Sequence, residues 1–248
     1  MPSCAAERSV FMNLHRIADI TADIGYKYDM MKRCAEAYRV NENVRPDMTI
    51  YLSDAFYERK QRENPQLSLD ECEYIFTGDV FYTGLVHFGG FMIKSSAVLT
   101  GGAAYLFSEP PGAEKSAHAA LWQKVFGTDR VKILNDDKTA VRPMGDGIYA
   151  CGTPWSGNSD LNINIKAPVG GICFLERGTE NKIRRVNGGS VISRMLDETV
   201  RPYDEDDMDL LLGYTDRVLN GVPIYIMSCN ESEEAAKTAY REMTEERK

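Results

Sequence analysis

The sequence predicts an α/β protein. Three observations carry that reading. From about residue 85 onward, β-rich apolar runs alternate with segments of helical spacing. Gly-Gly pairs punctuate the first of those runs. One stretch, Tyr105 to Trp122, passes from a strand through a tight Pro/Gly loop into a helix. A chain of 248 residues is long for one domain and short for two. It divides into a small N-terminal α+β module, residues 1–85, and a larger domain, residues 86–248.

Composition narrows the function classes. Hydrophobic residues make up 43% and charged residues 27%, an ordinary globular balance that excludes collagenous and wholly disordered chains. The formal net charge is -8 with no basic tract, which argues against a nucleic-acid partner and against anionic membranes. Cys4, Cys34, Cys72, Cys151, Cys173 and Cys229 are scattered, with no C-x-x-C pair. They read as free thiols of a reducing compartment, so a cytoplasmic location is expected. MPSCAAERSVFMNLHR lacks the basic-then-apolar pattern of a signal peptide, and no run is long enough to span a bilayer. The three histidines show no metal-site spacing.

Within the first module, Ser9 to Ile24 reads as strands. Tyr28 to Val40 reads as a helix, because Met31, Cys34, Ala35 and Tyr38 share one face. Asp47 to Leu52 is a short β-rich run, and Asp54 to Asn64 a charged helix that stops before Pro65. Ser68 with Glu71 three residues on forms a capping box that opens another helix.

The second region, LVHFGGFMIKSSAVLTGGAAYLFS, reads as three strands separated by Gly-Gly turns. Ser116 to Phe126 is a helix with Gly127 as its C-cap, Val131 to Leu134 a buried strand, and Gly145-Asp146-Gly147 a hairpin turn. Gly170 to Leu175 and Val222 to Met227 are apolar strands, the latter flanked by helices over Asp206 to Asn220 and Glu231 to Glu246. Leu121, Trp122, Val125, Ile133, Ile172, Phe174 and Ile224 are the expected core. Trp155, among polar and glycine neighbours, is expected to border a cleft.

The stretch that carries chemistry is YLFSEPPGAEKSAHAALW. Strand, tight loop, Lys-Ser and helix is the arrangement of a phosphate-binding loop: backbone N–H groups hold phosphate oxygens, Lys115 supplies a cation and Ser116 a metal-binding hydroxyl. Lys94-Ser95, Lys138-Thr139 and Lys237-Thr238 share the dipeptide, and only context singles out Lys115-Ser116. About 20 residues later, Asp136 and Asp137 follow a buried strand, a placement suited to holding Mg²⁺ and to accepting a proton from a hydroxyl. In isolation the tripeptide fits a solvated turn better. GTPWSGNSDLNINIKAP is a polar glycine-rich loop, and FLERGTENKI puts Glu176 and Arg177 at a strand end.

The order HFGGFMI, YLF, KSAH, LW, LNDDK, YACGTPWSG, ICFLERGTEN, VPIYIMSC resembles the HPr kinase / phosphoenolpyruvate carboxykinase superfamily, and within it the small bacterial HPr-kinase-like proteins. The resemblance spans roughly Val86 to Cys229. It implies a mixed-sheet P-loop fold that transfers a phosphoryl group with ATP and Mg²⁺. Gly112, Glu114, Lys115 and Ser116 would line the nucleotide phosphates, with Ser116 and Asp136 as metal ligands. Asp136 and Asp137 would serve metal and base, and His87, on a strand leading into the site, and Arg177 would complete the catalytic set. The implied partners are a nucleotide and a protein serine or small hydroxyl acceptor, with homo-oligomerisation left open.

The departure from the family falls in the loop itself. Relatives read approximately F-S-[GA]-P-S-G-T-G-K-S-T-H, whereas this chain reads F-S-E-P-P-G-A-E-K-S-A-H. Pro111 removes an N–H donor, and Glu114 places a carboxylate where glycine lets the backbone approach phosphate. At about 4 Å, such a charge costs on the order of 4 kcal/mol at an effective dielectric of about 20. Two functions follow: a working kinase, favoured by Lys115, Ser116, Asp136 and Asp137, or a pseudokinase acting by binding, favoured by Glu109 and Glu114.

Overall fold

The structure is a computed structural model that describes residues 13–42, 44–108, 115–145 and 147–245. The fold is mixed α/β with two sheets. The first has three strands: β1 (Leu14–Ile17), β2 (Ile20–Ile24) and β3 (Met48–Ile50), in that order. Between β2 and β3 lies α1 (Asp29–Ala35), followed by a 3-10 turn at Glu36–Tyr38. The expected helix therefore stops short of Val40, because Arg39 turns extended and bridges His15 of β1.

Helix α2 (Asp54–Glu63) is capped by Ser53, whose side chain accepts from the amide of Phe56. Helix α3 (Leu69–Gly84) carries the capping box in full, with Ser68 and Glu71 bonding each other's backbone. It then tightens into a 3-10 turn at Leu85–Phe88. The first of the three expected strands is thus a helical turn, and only two strands follow: β4 (Phe91–Thr100) and β5 (Ala103–Ser108).

The remaining elements are α4 (Lys115–Phe126), β6 (Lys132–Asn135), β7 (Lys138–Met144), β8 (Gly147–Cys151), β9 (Lys166–Arg177), β10 (Lys182–Val186), α5 (Ile192–Asp197), α6 (Glu205–Gly221), β11 (Ile224–Cys229) and α7 (Glu233–Glu245). The large sheet runs β10-β11-β9-β5-β4-β7-β8. β5, β9 and β11 are parallel to one another, and the other pairings are antiparallel. β8 also pairs with the start of β9, closing a ring of strands.

Why the central strands read as unbroken apolar runs is clear from their two faces. In β11, Ile224 and Ile226 join one core with Leu211, Val218 and Leu219 of α6, while Tyr225 and Met227 join a second core with Trp122 of α4 and Ala235, Ala236 and Ala239 of α7. Parallel strands covered by helices on both faces lose the polar alternation of half-buried strands. Of the expected core, Trp122, Ile133, Ile172, Phe174 and Ile224 are buried; Leu121 and Val125 are half-buried at its margin. The N-terminal elements do not close on themselves. Their apolar cluster takes in Met92, Ala140, Cys151 and Trp155 from the large sheet.

Candidate functional site

The site forms where β4 meets three other segments. One edge of β4 pairs with β5. Its other edge is shared end to end by β7, along Phe91 to Lys94, and β6, along Ala97 to Leu99. The two residues joining β6 to β7 are Asp136 and Asp137, so strand pairing alone brings the acidic turn beside Ser95 and Ser96. β5 ends at Ser108 and α4 begins at Lys115, and the start of α4 meets the acidic turn through Lys115 and Ser116.

Four of the expected side chains converge. Lys115 Nζ lies 3.2 Å from Asp137 Oδ1. Ser116 Oγ donates to Asp136 Oδ1 at 2.9 Å. Ser96, which the sequence pattern did not single out, donates its hydroxyl to the same oxygen, and its Oγ is 3.4 Å from that of Ser116. Asp136 is buried. Gly112 and Glu114 lie outside the described residues, as does the remainder of the loop between Ser108 and Lys115.

The turn is locked from behind. The Asp136 amide donates to Leu161 O at 3.0 Å, and the Ser95 amide donates to Asp137 O at 3.0 Å. The Asn135 amide group donates to Lys138 O at 2.7 Å and accepts from the Thr153 amide at 2.8 Å. Tyr82 OH donates to Lys138 O at 2.7 Å and meets Thr153 Oγ1 at 2.6 Å. Asp137 adopts a left-handed backbone, φ 64, a conformation that aspartate tolerates better than most side chains. Gly157 packs against it so closely that a Cβ there would stand 3.0 Å from Asp137 Cβ.

The GTPWSG loop supports this turn through its backbone and Thr153. Trp155 does not border the cleft. It is 1% exposed, stacked with Phe81 at 4.9 Å, and its Nε1–H donates to Thr77 Oγ1 at 3.3 Å. Its polar neighbours in sequence are turn formers; what receives the ring is the notch over Gly78 of α3, where a Cβ would come within 2.7 Å of Trp155 Cδ1.

His87 sits on the 3-10 turn and not on a strand, with its Nε2 3.4 Å from Asp207 Oδ1 of α6. Among the described residues no hydrogen bond or ion pair joins it to Lys115, Ser116, Asp136 or Asp137. Arg177 ends β9 and, with Glu176 and Gly178, lines a cavity of about 220 Å³ closed on its other side by Ala117, His118 and Leu121 from the start of α4. His118 itself is a core residue. It packs on Phe107 and accepts from Trp122 Nε1–H at 3.2 Å, and burial lowers its pKa to about 4.

A third carboxylate reaches the site from far along the chain. Glu198 follows α5, is buried, and its carbonyl accepts from the Lys94 amide at 2.7 Å. Burial holds its carboxyl above the usual range against the pull of Lys94 and Lys115, with the negative charges of Asp197 and Asp137 pushing the same way as burial. No spacing in the sequence pointed to it, since one antiparallel bridge, Ile93 to Thr199, sets its position.

The donor set is hard oxygen: one carboxylate and two hydroxyls on one spot, with an ammonium beside a second carboxylate. Among the described residues no three His, Cys, Asp or Glu side chains gather as a metal cluster. A few protein oxygens completed by phosphate and water suit Mg²⁺, which keeps several waters and takes one or two carboxylates. The residues present therefore fit a magnesium–phosphate ligand.

No family model matches the chain, and no curated protein matches it by sequence. Among solved structures it is similar to the HPr(Ser) kinase/phosphatase from Coxiella burnetii, with a TM-score of 0.36 and 8% identity, over 61% of this chain and 97% of that one. No helix among the described residues is long and apolar enough to cross a membrane.

Proposed function

We propose that the protein is an HPr-kinase-like phosphotransferase that binds ATP with Mg²⁺ and passes a phosphoryl group to a hydroxyl acceptor, a protein serine or a small molecule, in the cytoplasm. The observation that carries this reading is the convergence of Lys115, Ser116, Asp136 and Asp137 at the end of β5 and the start of α4. Mg²⁺ held by Ser116 and Asp136 would neutralise charge on the phosphate oxygens. Lys115 would exchange Asp137 for a phosphate oxygen. That exchange frees the Asp137 carboxylate to orient the acceptor hydroxyl and take its proton. The N-terminal module, residues 1–85, would act as a buttress for the acidic turn, through Tyr82 and the cradle of Trp155.

The second reading, a pseudokinase, rests on Glu109 and Glu114 in the loop sequence. One experiment separates the two: calorimetric titration of ATP, with and without Mg²⁺, into the wild type, Lys115→Ala and the double variant Glu109→Gly/Glu114→Gly. The kinase reading expects wild-type binding that needs Lys115. Binding only by the double glycine variant supports the pseudokinase, and no binding by any of them contradicts the kinase reading and points to a pure interaction role for the fold.

A further inference from the structure

The lane beside β4 that β5 leaves after Ser108 is taken over by another segment. Ser108 is the last residue of β5 and pairs with Ser95. One residue further along β4, the Lys94 amide donates to Glu198 O, and Ile93 bridges Thr199. β7 already occupies the opposite edge of β4 there, so the Glu198–Thr199 segment continues the line of β5. α5 leads into that segment, and at its other side Arg194 Nη2 is bonded to Glu176 Oε1 of β9 at 2.5 Å. α5 therefore spans the mouth of the sheet from β9 to β4, beyond the end of β5.

Arg194 is the informative residue of that span. One of its nitrogens is fixed by Glu176 on a side chain that is 41% exposed, while Nη1 itself is buried with no hydrogen-bond partner among the described residues. A charged donor buried without an acceptor is costly, and a guanidinium is shaped to bind an oxyanion through parallel N–H groups. One turn further on, Glu198 O is bonded to the amide of Lys94, and the next residue of β4, Ser95, is bonded through its own amide to Asp137 O, so the chain leaving α5 runs beside the acidic turn.

We infer that Arg194 is an anion-binding residue of this site, oriented by Glu176, whose Nη1–H serves the terminal phosphoryl group of the bound nucleotide. The inference rests on the nucleotide reading above. It gives Glu176, at the end of β9, the role of positioning residue for Arg194.

The test is titration of Mg-ATP and Mg-ADP into the wild type, Arg194→Gln, Arg194→Lys and Glu176→Gln, with thermal melts as the folding control. Loss of one charge-assisted bond predicts ATP binding about ten- to hundredfold weaker in Arg194→Gln. ADP binding should be nearly unchanged, with partial recovery in Arg194→Lys. Unchanged ATP affinity in Arg194→Gln, where Lys115→Ala abolishes binding, would overturn the inference and leave the nucleotide reading standing. Equal weakening for ATP and ADP overturns the terminal-phosphoryl assignment. A fall in melting temperature in both Arg194→Gln and Glu176→Gln without any change in binding makes the pair structural only. If the wild type binds neither nucleotide, the functional reading fails by itself. Inorganic pyrophosphate then decides: binding lost in Arg194→Gln supports the anion site, and no binding by the wild type overturns it.

Discussion

Two buried titratable residues, His118 and Glu198, make opposite demands on pH. His118 has its pKa lowered to about 4 by burial, from 6.5 in an unfolded chain. Between those values the unfolded state binds more protons, so stability falls as pH drops from 6.5 toward 4, by about 3 kcal/mol in all. His118→Gln should flatten that part of a urea-denaturation profile; an unchanged slope would show that His118 is not the group responsible. Glu198 is raised by burial, so its contribution to stability is complete below the unfolded pKa and is lost as pH rises through the folded value. Glu198→Gln should therefore be more stable than the wild type at pH 7 and no more stable at pH 4. Melting temperatures at the two pH values decide this, and a destabilised variant at pH 7 would mean that the carboxylate is instead held by its cationic neighbours. Neither residue announced itself in the sequence. A histidine two residues after the Lys115-Ser116 opening of α4 looks chemical, and only the Trp122 indole and Phe107 ring show it to be packing.

At the scale of elements, legibility followed local chemistry. β5, α4, β9 and β11 were readable because apolar runs ended at turn formers, and the acidic pair was readable because it closed one such run. β10 and α5 were not: Lys182–Val186 is mostly exposed, and Ile192–Asp197 is six residues long, too short for a helical period to show. Gly-Gly pairs misled at Leu85–Phe88, where the chain continues α3 as a tightened turn and uses the glycines after it to enter β4. Trp155 misled in the opposite way, since its burial is decided by α3, more than 70 residues earlier in the chain. That dependence is testable. Gly78→Ala would force a methyl against the indole and cost roughly 1–3 kcal/mol of stability. Because Trp155 sits between Thr153 and Gly157, the strain should also loosen the Asp136–Asp137 turn. Hydrogen exchange at the Ser95 and Asp136 amides should accelerate in the variant, and exchange as slow as in the wild type would mean that the loop and the turn are independent.

Across the whole molecule, the arrangement makes β4 the organising strand. It receives β5 on one edge, β6 and β7 on the other, and Glu198–Thr199 where β5 departs. Asp136 and Asp137 reach the cleft between β6 and β7, and Lys115 and Ser116 meet them there. In the proposed function, Ser116 and Asp136 form the metal side of a nucleotide site with Lys115 on its phosphate side. Electron paramagnetic resonance of Mn²⁺, used in place of Mg²⁺, measures this most directly, because the signal of the free ion is lost on binding. The wild type should sequester one Mn²⁺ per chain only when ATP is present. Asp136→Asn should weaken that uptake by at least about tenfold through loss of a charged ligand, and Lys115→Ala should abolish it. Uptake of Mn²⁺ and ATP by Asp136→Asn and Lys115→Ala as tight as by the wild type would mean that neither Asp136 nor Lys115 belongs to a metal–nucleotide site.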